Sequence, residues 1–189
     1  MTASARHHRQ SLDAYFAVER MSPARHEFAD GQIYVMAGGT PRHDWLESRM
    51  VQTLGARLGD GPCFVMTSNR RIATADDLYT YADASVFCGE MTIGADQTAT
   101  NPVVLVEVLS DSTRDYDRGE KLARYQTIPS LRHVLLVEQQ RVDMELWSRT
   151  ADGWTRQVVT ELDGVVDLAA IGVRLSPREL YAGAERFAG

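Results

Sequence analysis

The chain has a single lysine. Of its 20 Lys and Arg residues, Lys121 is the one lysine and the other 19 are arginines. Cysteine is nearly as scarce, with Cys63 and Cys88 alone. There is no CxxC pair and no Cys/His cluster, which excludes the common structural zinc sites. Each cysteine sits in an apolar, strand-like run, so the expectation is two reduced core thiols of a cytoplasmic protein rather than a disulfide framework. No apolar run approaches about 20 residues, so no transmembrane span is expected. The first residues, "MTASARHHRQ", lack the apolar core of a secretion signal. Net positive charge is absent too: the formal charge is -6. That argues against broad, nonspecific attraction to nucleic acid, while leaving room for a local basic groove. Some of the surplus acids could be metal ligands.

At 189 residues, with 44% apolar and 24% charged side chains, the chain suits one soluble domain with a proper core. Residues 1–12 read as a flexible basic arm and 13–189 as the domain. "SLDAYFAVER" reads as a short first helix. "RHEFADGQIYVM" reads as a hairpin turning at Ala29-Asp30-Gly31. A long helix follows. Thr40 can cap it, Pro41 fits its first turn, Leu46, Met50, Leu54 and Leu58 repeat at helical spacing, and Gly59 suits its exit.

Beyond that helix the chain is mostly strand. "CFVMTS", "RRIAT" and "YTYADASVFC" come first, then the almost unbroken apolar run "NPVVLVEVLS", as expected for a strand covered on both faces. A helix around "STRDYDRGEKLARYQTI" must end near Pro129. "RHVLLVEQ" is a second buried strand, "VDMELWSR" and "GWTRQVVT" form a hairpin, "IGVRL" pairs at an edge, and Ser176-Pro177 opens a terminal helix. This order predicts an α/β (α+β) domain with a mixed β-sheet flanked by helices.

The chemistry centres on Glu107. A carboxylate inside a doubly covered strand is costly unless it is paired or binds a metal. Pairing with a neighbouring arginine would satisfy it without any function. Asp83 raises the same question from inside "YTYADASVFC", where a strand-end position is the plain alternative. Two acids on adjacent strands, each preceding a polar loop, suit a hard divalent cation, which takes one or two carboxylates plus water and substrate oxygens. Lys121 falls on the following helix, sharing a stripe with Asp117 and Tyr125. A solvated Asp117–Lys121 pair would explain it simply. An ammonium, however, offers a compact charge and three rotatable donors that guanidinium does not. Glu27 in the hairpin and His43 at the start of the long helix could join the site; each also has a structural reading, as a solvated strand-start acid and a packed first-turn histidine. Arg70-Arg71 reads either as a phosphate contact or as an exposed hairpin end.

"HEFADGQIYVM…TPRHDWL", "YADASVF" and "NPVVLVEVLSDSTRDYDRGEKLARYQTIPSLRHVLLVEQ" resemble a Uma-type, restriction-endonuclease-like family of bacteria within the PD-(D/E)XK nuclease superfamily. The likeness runs from about residue 13 to 182. It implies a restriction-endonuclease-like fold and a Mg²⁺-dependent endonuclease (Mn²⁺ substituting) that hydrolyses phosphodiester bonds of nucleic acid, DNA being the expected substrate. In the superfamily pattern Asp83 and Glu107 are the paired acids, and Glu27 and His43 match the family's hairpin Glu and helix-start His. The chain departs from the pattern at Ala82, Leu109 and Asp111. Leu109 stands where the second residue after the Glu is normally lysine, and the resemblance implies that Lys121 supplies that ammonium from the helix.

On this reading Asp83, Glu107 and the Val108 carbonyl hold the metal, and Glu27 completes or water-bridges its shell. Lys121 orients the attacking water, and His43 contacts a phosphate or positions Glu27. A homodimer would suit the cutting of two strands. The rival reading is a non-catalytic nucleic-acid-binding or protein-interaction module on the same scaffold.

Overall fold

The structure is a computed structural model that describes residues 9–187, so most of the arm expected at 1–12 lies outside the described residues. Its last residues are tied down. Gln10 donates its N–H to the Gly31 carbonyl at 2.7 Å. Ser11 caps helix α1 (Leu12–Met21) by accepting the Ala14 N–H at 3.1 Å.

Strands β1 (His26–Ala29) and β2 (Gln32–Val35) form the expected hairpin. Its two turn residues, Asp30 at φ 52° and Gly31 at φ 78°, both take the left-handed backbone that a two-residue turn of this kind requires. Helix α2 (Pro41–Leu58) starts where Thr40 accepts the His43 N–H at 3.2 Å, and it ends at Gly59. Its apolar stripe, Leu46, Met50 and Leu54, is buried.

The remaining strands are β3 (Cys63–Thr67), β4 (Arg71–Ala73), β5 (Tyr79–Tyr81), β6 (Ala84–Cys88), β7 (Val104–Leu109), β8 (His133–Glu138), β9 (Met144–Thr150), β10 (Gly153–Val159), β11 (Val166–Leu168) and β12 (Val173–Leu175). Six of them make the main sheet in the order β10-β9-β8-β7-β6-β3, with β7 and β8 parallel and the other pairs antiparallel. This is the mixed sheet flanked by helices that the sequence predicts. Val104, Val106 and Val108 of β7 face α2 in one core. Leu105 and Leu109 face the opposite core, with Phe87 from β6 and with Leu122, Tyr125, Ile128 and Leu131 from the chain after β7. The chain between β7 and β8 is helical: α3 (Arg114–Tyr116), a π-helical turn (Asp117–Lys121) and α4 (Leu122–Tyr125).

The structure corrects four expectations. "YTYADASVFC" is two strands in two sheets: β5 belongs to a four-stranded sheet, β2-β1-β5-β4, and β6 to the main sheet, with Ala82-Asp83 at the crossing. "IGVRL" supplies β12, which pairs with β11 in a separate ribbon rather than at an edge of the main sheet. That ribbon and helix α5 (Pro177–Tyr181) pack on the α2 side. Cys63 and Cys88 are joined in a disulfide. They are direct partners in the β3–β6 register, and the Gly89 N–H bonds to the Pro62 carbonyl at 2.8 Å beside them. They therefore occupy a narrow, non-hydrogen-bonded pair, where facing side chains come closest. Finally, Arg71 is buried and committed to protein partners, Asp96, Glu19 and Thr98, and Arg70 donates to the Gln97 carbonyl. Among the described residues no helix is long and apolar enough to cross a membrane.

Candidate active site

Period-two alternation sends the odd-numbered side chains of β7 to one face, so Glu107 lies between Leu105 and Leu109, against the helical segment after the strand. Glu107 is 4% exposed and Lys121 5%. Burial on this scale obliges both to find partners. Lys121 Nζ lies 3.0 Å from Glu107 Oε1, 3.0 Å from Glu27 Oε1 and 3.7 Å from Asp117 Oδ1. The π turn spans Asp117 to Lys121, so the helix is widened at the segment that carries this ammonium inward. Such widened turns recur at functional sites.

Each acid is held from a second direction. The Tyr125 hydroxyl donates to Glu107 Oε1. The Thr80 hydroxyl, from β5, donates to Glu27 Oε1. Asp83 stands at the chain crossing before β6. Ala84 pairs with Val106, so the same register places Asp83 opposite Glu107. There Asp83 Oδ2 accepts the Val108 N–H at 2.6 Å. A residue's N–H and C=O leave an extended strand on the same edge, so the Val108 carbonyl is also directed toward Asp83. His43, in the first turn of α2, brings Nε2 to 3.4 Å from Asp83 Oδ2, while its buried Nδ1 lies 3.7 Å from Asp44 Oδ1 and makes no hydrogen bond among the described residues. Thus the five side chains singled out in the sequence gather around the end of β7: Glu27, Glu107 and Lys121 are in direct contact, and Asp83 and His43 form a second pair joined to them through the Val108 N–H. Together they draw on both larger sheets, α2 and the π turn.

The cluster carries a surplus of negative charge. Glu27, Asp83, Glu107 and Asp117 face the cations Lys121 and His43, which leaves two formal negatives if every group is ionised. Burial pushes the Glu107 carboxyl up to about 8, although Lys121 pulls it down. Burial also raises Asp117. For Lys121 burial works against the charge, but Glu107, Tyr125, Glu27 and Asp117 outweigh it and hold the ammonium well above its ordinary value. His43 behaves similarly: burial opposes its charge, yet the hydrogen bond to Asp83 and the neighbouring acids lift it to about 9.

This donor set fits a hard divalent cation. The hydrogen bonds and ion pairs of Glu107 and Asp83 use Oε1 and Oδ2. Glu107 Oε2 and Asp83 Oδ1 are left without protein partners among the described residues, beside a strand carbonyl and a charge deficit of the right size. A second group of metal-capable side chains lies close by, His43, Asp44 and Glu47, with ligand atoms within 4.8 Å of one another. It is the poorer candidate: the Asp44 side chain is 66% exposed, and Glu47 Oε1 already accepts the Ser68 hydroxyl at 2.6 Å.

Thr80 was not legible as part of the site, since a strand threonine among aromatics signals only β-propensity. Asp117 and Tyr125 were visible as the i, i+4 neighbours of Lys121, but their contact with the acid cluster depends on the π turn and on burial.

Comparison with known proteins places the chain. The profile of the family described as "Uma2: Putative restriction endonuclease" matches residues 12–178. Two relatives come from Synechocystis sp. (strain ATCC 27184 / PCC 6803 / Kazusa). "Uncharacterized protein slr1290" is 32% identical over 174 residues, covering 92% of both chains. "Uncharacterized protein sll1609" is 30% identical over 153 residues, covering 79% of this chain and 85% of its own. The fold is similar to the crystal structure of "a putative nuclease belonging to DUF820" from Anabaena variabilis, with a TM-score of 0.71 at 15% identity over 86% of this chain and 93% of that one. The fold and the residues define a restriction-endonuclease-like protein. Within that class the chain belongs to the Uma2 family.

Proposed function

We propose that this protein is a Mg²⁺-dependent endonuclease that hydrolyses phosphodiester bonds of DNA, and that it accepts Mn²⁺ in place of Mg²⁺. One observation carries the reading: a buried lysine, the only one in the chain, joins two acids from different sheets while Asp83 stands opposite one of them. Glu107 Oε2, Asp83 Oδ1 and the Val108 carbonyl would hold the ion, with Glu27 in its outer shell. When bound, the ion supplies Lewis-acid polarisation of the phosphate and a lowered pKa for water.

The protein's own groups divide the rest of the work. Lys121 donates from Nζ, positioned to orient a nucleophilic water or to meet charge that develops on the phosphate oxygens. Glu27 Oε1, tied to Lys121 and Thr80, keeps that ammonium directed at the reaction centre. His43, held between Asp83 at Nε2 and Asp44 at Nδ1, orients Asp83 and adds a positive charge beside the phosphate path. The test is a panel of DNA and RNA substrates, single- and double-stranded, incubated with Mn²⁺ or Mg²⁺ beside an Asp83→Ala control. Cleavage of DNA that needs both the ion and Asp83 supports the reading. Cleavage that survives chelation or the substitution overturns it. A chain that binds nucleic acid without cutting it would be the binding module instead.

A further inference from the structure

Tyr34 is a half-exposed aromatic beside the cluster in the strand register. It is the direct partner of Glu27 in the β1–β2 hairpin. Directly opposed residues project from the same face of a sheet, with Cβ atoms about 4.5–5.5 Å apart. Glu27 points at Lys121, so the Tyr34 ring rises from the site side of the hairpin. It is 53% exposed. Among the described residues it makes no hydrogen bond, aromatic pair or cation–π contact, unlike Tyr15, Tyr79, Tyr81 and Tyr125. Ile33 and Phe28, the neighbouring pair, turn the other way, into the small core under α1.

The charges around the site point the same way. Arg114 is engaged by Asp111 and Glu138, Arg118 by Glu145, and Arg124 by Asp30 and Glu120. The arginines of the helical wall are thus spent on carboxylates, and the whole chain is acidic. Little unpaired positive charge on this wall is left for phosphates, the usual source of nucleic-acid affinity. A flat, unpartnered ring beside the acids supplies what charge does not, because every base has a π-face on which an aromatic can stack.

We infer that Tyr34 is a stacking platform for an unpaired base next to the scissile phosphate, so the substrate of this site is single-stranded or locally unpaired nucleic acid. The inference rests on the nuclease reading for the position of that phosphate, but the stacking can be measured without cleavage.

The experiment is fluorescence anisotropy with fluorescein-labelled oligothymidylate of about a dozen nucleotides, with Ca²⁺ replacing Mg²⁺ and strand integrity checked on a gel. The same probe with abasic positions and the corresponding duplex serve as comparisons. Wild type should bind the single strand more tightly than either. Tyr34→Ala should weaken single-strand binding about tenfold or more, to the level wild type shows for the abasic strand, and Tyr34→Phe should retain it within about twofold. The residue is exposed, so neither substitution threatens the fold. Equal binding by wild type and Tyr34→Ala, tighter binding of duplex than of single strand, or no binding of any probe overturns the inference. Tyr34-dependent binding without Mn²⁺-dependent cutting leaves the stacking in place and sinks the nuclease reading. Cutting with no Tyr34 dependence does the reverse.

Discussion

Lys121 Nζ stands 3.0 Å from Glu107 Oε1, although one comes from a π turn and the other from the middle of the central strand. The pair is buried, so its geometry is tightly constrained. Lys121→Arg keeps the charge but forces a larger, planar group into the same space. The expected result is a loss of cleavage on the order of 100-fold or more. Cleavage by the arginine variant at the wild-type rate would remove Lys121 from the mechanism. Lys121→Ala should also destabilise the fold by about 3 kcal/mol, because it leaves buried acids without their cation; urea melts measure this.

The surplus of negative charge predicts that a divalent ion stabilises the native protein. Mn²⁺ at about 100 times its Kd should add roughly 2.7 kcal/mol, seen as a rise in Tm. Asp83→Asn and Glu107→Gln should each abolish most of that rise, and without metal they should not lower the Tm greatly, since each removes one of the mutually repelling acids. An undiminished Mn²⁺ shift in both variants would place the ion elsewhere, with His43, Asp44 and Glu47 the next set to examine.

Removing the disulfide between Cys63 and Cys88 opens a loop with a sequence separation of 25 residues. Loop-closure entropy then sets the cost at about 3.5 kcal/mol. The Tm should fall on adding reductant, and a Cys63→Ala, Cys88→Ala double variant should match the reduced wild type and ignore the reductant. Because β3 is the edge strand beyond β6, cleavage activity should survive at temperatures below the lowered Tm.

His133 predicts an acid-side slope in stability. Its Nδ1 and the Ser148 hydroxyl lie 2.9 Å apart, and its Nε2 accepts the Ala170 N–H at 3.2 Å, an arrangement only the neutral ring can make. Burial lowers its pKa below the ordinary 6.5. The unfolded chain therefore binds a proton that the folded chain resists, and stability falls as pH drops through 6.5 toward the folded value. His133→Asn should flatten the dependence of urea midpoint on pH in that window. An unchanged slope would assign it to other groups.

The β1–β2 hairpin, α2 with its Thr40 cap and Gly59 exit, and the buried β7 and β8 were all legible, because each depends on turn chemistry, capping or local periodicity. The acids and the lysine could be picked out as well, since a carboxylate in a covered strand and a solitary lysine among arginines are conspicuous in one dimension.

Tertiary structure alone decided the rest. A continuous β-rich run carries no mark of where it leaves one sheet for another, so the crossing at Ala82-Asp83, which sets Asp83 opposite Glu107, was hidden. Nothing local tells a thiol in a strand which residue faces it; only the β3–β6 register joined Cys63 to Cys88. The π turn, the Thr80 contact and the position of Tyr34 beside Glu27 likewise exist only once the two larger sheets and the helical wall are packed together. Local chemistry selects the elements, while proximity between distant residues is a property of the packed chain.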